Sequence, residues 1–347
     1  MTRIAVIGAG HMARVRTAAL LADGRAQVCA VAARQRESAQ RFGAEVGCAC
    51  CVDDYTKLLD AGPDAVLVEV PHEVQDAAVL WALGQGLHVL IGGVPATTSR
   101  TADEIRRLAA ARQRVVEAGY QARYSRMWEA ARQFIRDGRL GRPVAVRSIA
   151  LWAGDPATWY YNQRASGGMP LTHMTYCFIN PVRWLLGNPL RVSAFANRAK
   201  ETGPEAVREE TCIANLVLPG DVLYSATAGF VRPGGVPSWS VTLIGTLAAL
   251  ELAPWEDRAE TMTVYEPRAE TGADTQATTG AAGRRETFGE PAEAFERQAA
   301  AFLGAVSGAA VGAGGTPCRN PPDDGVWDVR IAEAIVESVR AGRTVEP

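Results

Sequence analysis

A glycine-rich turn between a short apolar run and a helical pattern constrains the fold of this chain most strongly. Residues 3–7 (Arg-Ile-Ala-Val-Ile) are typical of a buried strand, and Gly8-Ala-Gly-His-Met-Ala13 follows directly. In such a turn Gly8 allows a tight bend, Gly10 lets the backbone approach a pyrophosphate, and the small Ala13 lets the next helix pack on the strand. The free N–H groups of that helix then face the phosphates. The turn therefore predicts a dinucleotide site, with an ordinary structural turn as the alternative.

Strands and helices alternate through the first third of the chain, which predicts a doubly wound parallel sheet and an α/β fold class. The predicted strands are 3–7, 27–32, 65–70, 88–91 and 115–118. The predicted helices are 12–23, 35–43, 73–85 and 99–112, the second ended by Gly43 and the third by Gly86. We expect a dinucleotide-binding domain over residues 1–120.

The pattern changes after residue 120 to strands that alternate apolar and polar residues, as in an antiparallel sheet with one open face. The predicted strands are 144–152, 190–197, 211–218, 222–230 and 238–245. The predicted helices are 127–137, 169–186, 291–307 and 326–341, and residues 268–285 are expected to form a loop. We expect an α+β domain with a mostly antiparallel open sheet over residues 121–347.

Composition excludes several classes of function. The chain has 347 residues with a formal net charge of −2, so a nucleic-acid partner or an anionic membrane surface is not expected. No apolar stretch reaches the roughly 20 residues that span a bilayer, and the first strand starts too close to Met1 for a signal peptide. The seven cysteines include the cluster Cys48, Cys50 and Cys51, which is expected to be structural. We expect free thiols and a cytoplasmic protein.

The end of the second predicted strand indicates which dinucleotide is bound. A carboxylate there holds the ribose 2′-hydroxyl of NAD, whereas an arginine accepts the 2′-phosphate of NADP. The chain has Ala32-Ala33-Arg34-Gln35-Arg36 at this place and no carboxylate. The pattern favours NADP, with NAD still possible. In the alternative interpretation, Arg34 and Arg36 are ordinary exposed residues at the start of a helix.

Three longer motifs resemble the Gfo/Idh/MocA oxidoreductases (glucose-fructose oxidoreductase, inositol dehydrogenase and rhizopine catabolism). Family members typically have HVLCEKPLATT where this chain has HVLIGGVPATT over 88–98, and GGGALLDIGVHYLDLLRWLLG at 167–187. Residues 324–343 are similar to the closing helix of the family. The resemblance implies a Rossmann domain, an α+β domain whose sheet forms a homodimer or homotetramer, and hydride chemistry on sugars, polyols, diols or imines.

Four positions depart from the family pattern. The family lysine falls on Gly93, its aspartate on His173, its histidine on Cys177 and a later aspartate on Asn180. Glycine cannot transfer a proton, so the acid–base scheme that the resemblance implies is not available here. The backbone at Gly93 can still approach the cofactor.

His173 and Cys177 are the leading catalytic candidates because residues four apart share one helix face. In the register of the resemblance that face looks at the nicotinamide, where His173 would act as a general acid at neutral pH. The alternative is a packed helix with a satisfied histidine and a buried thiol. Tyr124, just past the crossover into the second domain, is a second proton-donor candidate or else a rim aromatic, and Tyr176 is a weaker one. His173 and Cys177 alone do not make a zinc site, so no metal is expected.

The remaining candidates follow from position in the motifs. The expected cofactor-binding residues are Gly8, Gly10, His11, Met12, Ala33, Arg34, Pro71, Gln75, Gly92, Gly93 and Gln121. The expected substrate-binding residues are Arg123, Trp159 and Asn180. Trp159 belongs to an aromatic cluster, 159–161, that either stacks on a ring-bearing substrate or covers the sheet.

These observations favour an NADP-dependent oxidoreductase that acts on a small carbonyl, hydroxyl or imine substrate in specialised or sugar metabolism with a non-standard proton donor. Three alternatives stay open. The chain could bind the cofactor without hydride transfer, or use it in non-redox chemistry. It could also be an imine reductase similar to the thiazolinyl imine reductases, although Gly93 and Val94 do not match their histidine-bearing motif.

Overall fold

The strands of the chain form two sheets, one of six and one of eight strands, in a computed structural model that describes residues 1–198, 205–231, 239–256, 259–266, 283–308 and 317–347. The six-stranded sheet is parallel throughout. The eight-stranded sheet is antiparallel apart from one parallel pair. The predicted combination of an α/β fold with a mostly antiparallel second sheet is confirmed.

The parallel sheet has the strand order β3-β2-β1-β4-β5-β6, so the order reverses between β1 and β4. Its strands are β1 (Thr2–Ile7), β2 (Ala26–Ala32), β3 (Cys51–Val52), β4 (Ala65–Val68), β5 (His88–Ile91) and β6 (Val116–Glu117). Its connecting helices are α1 (His11–Ala22), α2 (Arg36–Glu45), α3 (His72–Gly84) and α4 (Ser99–Arg112), with a 3₁₀ turn at Tyr55–Ala61. Ligands of such sheets bind at the carboxyl ends of the strands beside the reversal.

Gly43 does not end the second helix, which was predicted to stop there. The helix continues to Glu45, and Gly43 is buried inside it. A side chain at Gly43 would overlap Cys51 Sγ and the carbonyl oxygen of Cys48. The glycine therefore allows close packing of α2 against β3, where a C-terminal glycine had been expected.

The second sheet has the order β14-β13-β12-β11-β7-β10-β9-β8, and its parallel pair is β7 with β10. Its strands are β7 (Pro143–Leu151), β8 (Arg191–Asn197), β9 (Thr211–Leu218), β10 (Val222–Gly229), β11 (Trp239–Gly245), β12 (Ala249–Glu256), β13 (Ala259–Tyr265) and β14 (Arg284–Phe288). The strands β12 and β13 were not predicted. β14 begins within the predicted loop 268–285, because it pairs with β13; residues 268–282 of that loop lie outside the described residues.

Helices cover one face of the second sheet and also reach the first. They are α5 (Arg126–Arg136), α6 (Gln163–Ser166), α7 (Asn180–Leu186), α8 (Glu293–Val306) and α9 (Pro322–Ala341), with 3₁₀ turns at Gln121–Tyr124 and Trp159–Tyr161. Phe302 of α8 shares a buried cluster with Ile4 and Val6 of β1. The C-terminal helices thus pack on the N-terminal sheet, and the division of the chain at residue 120 stays a prediction.

The predicted helix 169–186 has two parts. Its first turns, Pro170–Ile179, form a π-helical segment, and α7 continues from it without a break. Wide helical turns of this kind occur often at functional sites. Both His173 and Cys177 lie in the π-helical segment.

Candidate active site

The turn after β1 brings two strand ends into contact at the reversal of the parallel sheet. Gly8 has φ +118°, a conformation that favours glycine, and a side chain there would overlap the carbonyl oxygen of Glu69 at the end of β4. Only glycine at position 8 therefore lets β1 and β4 end side by side. The space above this contact is the crevice in which a sheet of this topology binds its ligand.

Gly10 leaves the entrance to α1 open. A Cβ added to Gly10 would meet no atom within 4 Å, and no side chain caps the N-terminus of this twelve-residue helix. Ala13 is fully buried against the sheet, while His11 is exposed and Met12 half-buried beside the opening. Free N–H groups beside a missing side chain fit the pyrophosphate of a dinucleotide.

The end of β2 presents an arginine without a partner. Arg34 is exposed, follows the half-buried Ala33, and has no hydrogen bond or ion pair with any described residue. Arg14, on the nearby α1, differs because its Nε and Nη2 lie 2.7 and 3.0 Å from the Glu45 carboxylate. Of these two guanidinium groups, Arg34 is the one available to an anionic ligand.

The loop after β5 has glycine at two successive positions, where side chains from the end of β4 and the start of α3 leave little space. A Cβ on Gly92 would overlap the Glu69 carboxylate, and a Cβ on Gly93 would lie 3.3 Å from His72 Nε2. Gln75 supports the loop, because its Nε2 donates a hydrogen bond of 2.8 Å to the carbonyl oxygen of Val94. Gln75 is therefore buried as a support of the loop, whereas it had been expected to bind the cofactor directly. Pro71, also an expected cofactor residue, is half-buried at the N-terminus of α3.

Glu69 and Arg16 form an ion pair that sequence reasoning missed. Arg16 Nε lies 3.0 Å from Glu69 Oε2, and Arg16 also donates to the carbonyl oxygen of Gly119 at 2.7 Å and to Gln298 Oε1 at 2.9 Å. Burial raises the pKa of the Glu69 carboxyl, and the Arg16 charge partly offsets that rise. An acidic residue directly after the apolar strand β4 was the available signal.

His173 and Cys177 are brought together as predicted by their spacing. Cys177 Sγ lies 3.7 Å from His173 Nδ1, and His173 Nε2 is buried with no hydrogen-bond partner among the described residues. Burial lowers the pKa of His173 to about 4 and raises the pKa of the Cys177 thiol. Both side chains are therefore neutral at pH 7, so His173 does not hold the imidazolium proton expected of a general acid.

An aromatic wall surrounds the His173 ring, and we use this name for Trp152, Trp159, Tyr160, Phe230 and Trp239. The His173 ring stacks on Trp152 at 6.0 Å and contacts Phe230 at 5.4 Å and Trp239 at 5.5 Å. Tyr160 stacks on Trp159 at 4.0 Å, and Trp159 meets the His72 ring edge-on at 5.0 Å. The predicted substrate residue Trp159 thus connects the wall to His72 at the start of α3.

Tyr176 and Gln121 also meet, although they had been assigned different roles. The Tyr176 hydroxyl donates to Gln121 Oε1 at 2.8 Å, and the Tyr176 ring packs edge-on against Tyr120. The charges of Arg16 and Glu69 both act on the Tyr176 hydroxyl, whose pKa is raised mainly by burial. Tyr176 therefore lies beside the buried ion pair.

Tyr124 was predicted to donate a proton in the cleft, but its hydroxyl is hydrogen-bonded within the protein interior. The side chain is fully buried, and its hydroxyl donates to Glu117 Oε1 at 2.8 Å while it accepts from the Arg319 backbone N–H at 2.7 Å. Burial is the main cause that raises the pKa of Tyr124. Its polar atom is fully occupied in a structural network.

Arg123 and Asn180 were expected to bind substrate, but both side chains have partners within the protein. Arg123 Nε donates to Asn180 Oδ1 at 2.9 Å, and the same guanidinium pairs with Asp324 of α9. Asn180 Nδ2 donates to Asp328 Oδ2 at 2.9 Å. Arg123 and Asn180 each have a partner on α9, so this buried set links the 121–124 turn and α7 to that helix.

The described residues hold no group of three or more histidine, cysteine, aspartate or glutamate side chains that could bind a metal ion. Their helices include none that is both long enough and apolar enough to cross a membrane.

Comparison with known proteins identifies the family. The description "Oxidoreductase family, NAD-binding Rossmann fold" matches residues 2–120, and "GFO/IDH/MocA C-terminal domain" matches residues 128–251. Inositol 2-dehydrogenase of Streptomyces avermitilis is 29% identical over 212 residues, which is 59% of each chain. A 1,5-anhydro-D-fructose reductase of Ensifer adhaerens is 25% identical over 100% of this chain and 98% of its own.

Solved structures share the fold along the whole chain. Levoglucosan dehydrogenase in complex with NADH and levoglucosan has a TM-score of 0.86 at 18% identity and covers 99% of both chains. Aldose-aldose oxidoreductase from Caulobacter crescentus has a TM-score of 0.81 at 20% identity and covers 100% of this chain and 99% of its own. The chain therefore belongs to the Gfo/Idh/MocA family of NAD(P)-dependent oxidoreductases.

Proposed function

We propose that this oxidoreductase transfers a hydride between a nicotinamide cofactor, NADP in preference to NAD, and a carbon bearing a hydroxyl or carbonyl group in a small cyclic, sugar-like substrate. The open glycine turn at Gly8 and Gly10 carries this proposal, because it fits a dinucleotide pyrophosphate. The relatives named above act, by their names, on inositol and 1,5-anhydro-D-fructose. These compounds set the substrate class that we propose.

The cofactor supplies the hydride acceptor or donor when it is bound. The N-terminus of α1 binds its pyrophosphate, and Arg34 binds the 2′-phosphate of NADP. Gly93 leaves the loop after β5 open to the nicotinamide half of the cofactor. Gln121, which is bonded to Tyr176, is proposed to contact the same half. Support for the choice of NADP is the absence of any partner for Arg34 among the described residues.

His173 orients the substrate oxygen. We assign the Cys177 thiol, 3.7 Å from His173 Nδ1, as the donor of this contact, which places the proton of the neutral imidazole on Nε2. From there it donates a hydrogen bond to the substrate oxygen. The aromatic wall around His173 excludes water and stacks on the apolar face of the substrate ring.

The open face of the eight-stranded sheet is the surface that we propose for self-association. Its exposed apolar side chains include Phe195, Ile213, Leu223 and Ile244, which are 69%, 44%, 61% and 43% exposed. Apolar patches on a sheet face are typical of interfaces. We propose a homodimer or homotetramer through this face; sedimentation as a monomer at micromolar concentration would argue against it.

Fluorescence titration with NADPH and NADH tests the cofactor proposal. We expect NADPH to bind more tightly, and Arg34→Ala to weaken NADPH binding by at least about tenfold, because a charge-assisted bond to phosphate is lost. NADH affinity should not change. Arg100→Ala, on the exposed face of α4, is the matched control. Tighter binding of NADH than of NADPH by the native protein would contradict the proposal.

The second arm of this experiment measures hydride transfer in a single turnover. His173→Ala should slow it by about tenfold to a hundredfold, because a group that orients the reacting oxygen is removed. The affinity for NADPH should stay within twofold of native. Unchanged hydride transfer would remove His173 from the site while leaving the cofactor proposal intact.

A further inference from the structure

The carboxyl group of Glu69 stands at the carboxyl edge of the parallel sheet, between the turn after β1 and the loop after β5. The Glu69 carbonyl oxygen touches Gly8, and its carboxylate fills the space that a side chain at Gly92 would need. We propose that Glu69 is the group that carries the proton of the reaction. This inference rests on the proposed hydride transfer and names a catalytic residue for it.

The two oxygens of Glu69 have different surroundings. Oε2 is buried 3.0 Å from Arg16 Nε as an ion pair, but neither of these two atoms has a hydrogen-bond partner among the described residues. No hydrogen bond of the described residues reaches Oε1 either, and 17% of the Glu69 side-chain surface remains accessible. The carboxylate is therefore held beside Arg16 by charge, and its hydrogen-bonding capacity is left for a ligand in the crevice.

The charged and titratable groups that face Glu69 come from three elements. They are Arg16 of α1, Tyr160 of the 159–161 turn and Tyr176 of the π-helical segment. The Tyr176 hydroxyl is bonded to Gln121, whereas the Tyr160 hydroxyl has no hydrogen-bond partner in the described part of the chain. Burial raises the pKa of Glu69 against the opposing effect of Arg16. A carboxyl with a raised pKa exchanges its proton closer to neutral pH than an ordinary one.

The other candidates for this role are worse suited. Gly93 has no side chain, and burial leaves His173 without a proton to give as an imidazolium. Burial also keeps the Cys177 thiol protonated, so it cannot accept a proton. Glu69 is the carboxyl that lies between the cofactor turn and these residues.

In the oxidation direction, the substrate O–H bond breaks and its proton forms a bond to Glu69. The adjacent C–H bond breaks, and its electron pair leaves with the hydrogen as hydride to the oxidised nicotinamide. The carbon–oxygen bond becomes a carbonyl, and Glu69 then returns its proton to solvent. In the reduction direction, the protonated Glu69 gives its proton to the carbonyl oxygen as hydride arrives at carbon.

Proton release on cofactor binding tests Glu69 without any substrate. The oxidised nicotinamide ring carries a positive charge, which lowers the pKa of a nearby carboxyl. In weakly buffered indicator solution, NADP⁺ should release more protons from the native protein than NADPH does, because both carry the 2′-phosphate but only NADP⁺ carries the ring charge. Glu69→Gln should abolish this difference. Glu104→Gln, an exposed glutamate of α4, should release the same amount as native.

Arg16→Gln provides an independent test of Glu69, because it should shift the pH dependence of proton release. Because the Arg16 charge lowers the pKa of Glu69, its removal should raise that pKa and move the pH of maximal proton release upward. A carboxylate with a purely structural role would show no such movement. Glu69→Gln leaves Arg16 as a buried unpaired charge, which destabilises a fold. If that variant fails to fold, the double variant Arg16→Gln/Glu69→Gln, which removes both charges, replaces it and should also release equal numbers of protons with NADP⁺ and NADPH.

Hydride transfer completes the test. Glu69→Gln should slow the single-turnover rate by at least about a hundredfold at saturating cofactor, in line with the loss of general acid–base catalysis. Two results would overturn the assignment. One is equal proton release by the native protein and by Glu69→Gln. The other is a native rate of hydride transfer in Glu69→Gln at saturating cofactor, even where its cofactor affinity is lower. If the native protein binds neither NADP⁺ nor NADPH, the proposed function itself has failed.

Discussion

The turn Gly8–Ala13 and the π-helical segment Pro170–Ile179 both carry predicted site residues, but they depend on different kinds of information. In the turn, each requirement is local: a positive φ at Gly8, open space at Gly10 and a small buried Ala13. In the π-helical segment, the chemistry of His173 depends on rings from distant strands. Backbone constraints can therefore be predicted from a motif, whereas the charge state of a side chain depends on its surroundings in the fold.

Gly8→Ala is the strongest test of the local requirements of the turn Gly8–Ala13. The new Cβ would overlap the Glu69 carbonyl oxygen, and the φ of +118° would strain any side chain. We expect a loss of about 3 kcal/mol or more in the free energy of unfolding. NADPH affinity should fall by at least about a hundredfold, because the phosphate-binding N–H groups are displaced. Urea denaturation and fluorescence titration measure the two effects.

Gly24→Ala is the matched control for that change. Gly24 also has a positive φ, +79°, but a Cβ there would meet no atom within 4 Å. It should cost only about 1 kcal/mol of stability and leave cofactor affinity unchanged. Equal effects of the two substitutions would show that backbone strain alone, and not the contact between β1 and β4, makes Gly8 necessary.

The pH dependence of folding stability tests the π-helical segment, where the charge state of His173 depends on burial. Folding holds the pKa of His173 at about 4, against 6.5 for the free side chain, because burial disfavours the charged form. As pH falls from 7 to 5, the unfolded chain takes up a proton that the folded protein refuses, so stability falls. We expect His173→Gln to remove about 2 kcal/mol of the stability lost over this interval.

His72→Gln provides the parallel measurement, since burial also lowers the pKa of His72 to about 4. Urea denaturation of the apoprotein at several pH values compares both variants with the native protein. If the slope of stability against pH is the same in all three, the two imidazoles are accessible to protons in the folded state. The neutral role proposed for His173 would then have no basis.

A smaller effect is expected at Tyr124, where sequence and structure disagree most directly. Tyr124→Phe removes a hydrogen bond to the buried carboxylate of Glu117 and leaves the Arg319 backbone N–H without its acceptor. We expect a loss of about 1–3 kcal/mol in stability and no change in single-turnover hydride transfer. Tyr265→Phe removes a comparable 3.0 Å bond to Glu251 on the surface and should cost less than about 0.5 kcal/mol. A slower chemical step in Tyr124→Phe would restore the original assignment.

The difference between the two halves also explains how far the fold could be predicted. Strands of the parallel sheet are buried on both faces and form continuous apolar runs, such as Ala65–Val68, that a sequence displays clearly. The strands β12 (Ala249–Glu256) and β13 (Ala259–Tyr265) were missed. There, polar residues such as Glu251 and Thr263 pair across the sheet and weaken the apolar signal.

The candidate site divides in the same way. Gly8 and Gly10 were identified from the motif, and the spacing of His173 and Cys177 correctly predicted that they meet. The polar partners of Tyr124 could not be foreseen, because Arg319 lies 195 residues further along the chain. Glu69 was missed because its significance comes from the absent side chain at Gly92, on a different strand loop.

The smallest effect is expected where the family pattern itself is restored. Gly93→Lys places an amine at the position of the family lysine, but its Cβ would lie 3.3 Å from His72 Nε2, so the His72 ring must shift. The neighbouring positions still hold His173 and Cys177, and groups that act as a unit do not restore activity one at a time. At saturating NADP⁺, we expect the rate of inositol or glucose oxidation by Gly93→Lys to stay within about threefold of the rate of the native protein. Gly93→Ala, which adds the Cβ without the amine, separates the steric effect from the chemical one. Initial rates are measured for the native protein and both variants. A gain of a hundredfold or more in the lysine variant alone would mean that the π-helical segment already offers a conventional polyol site. A single missing side chain would then account for the difference between this chain and its relatives.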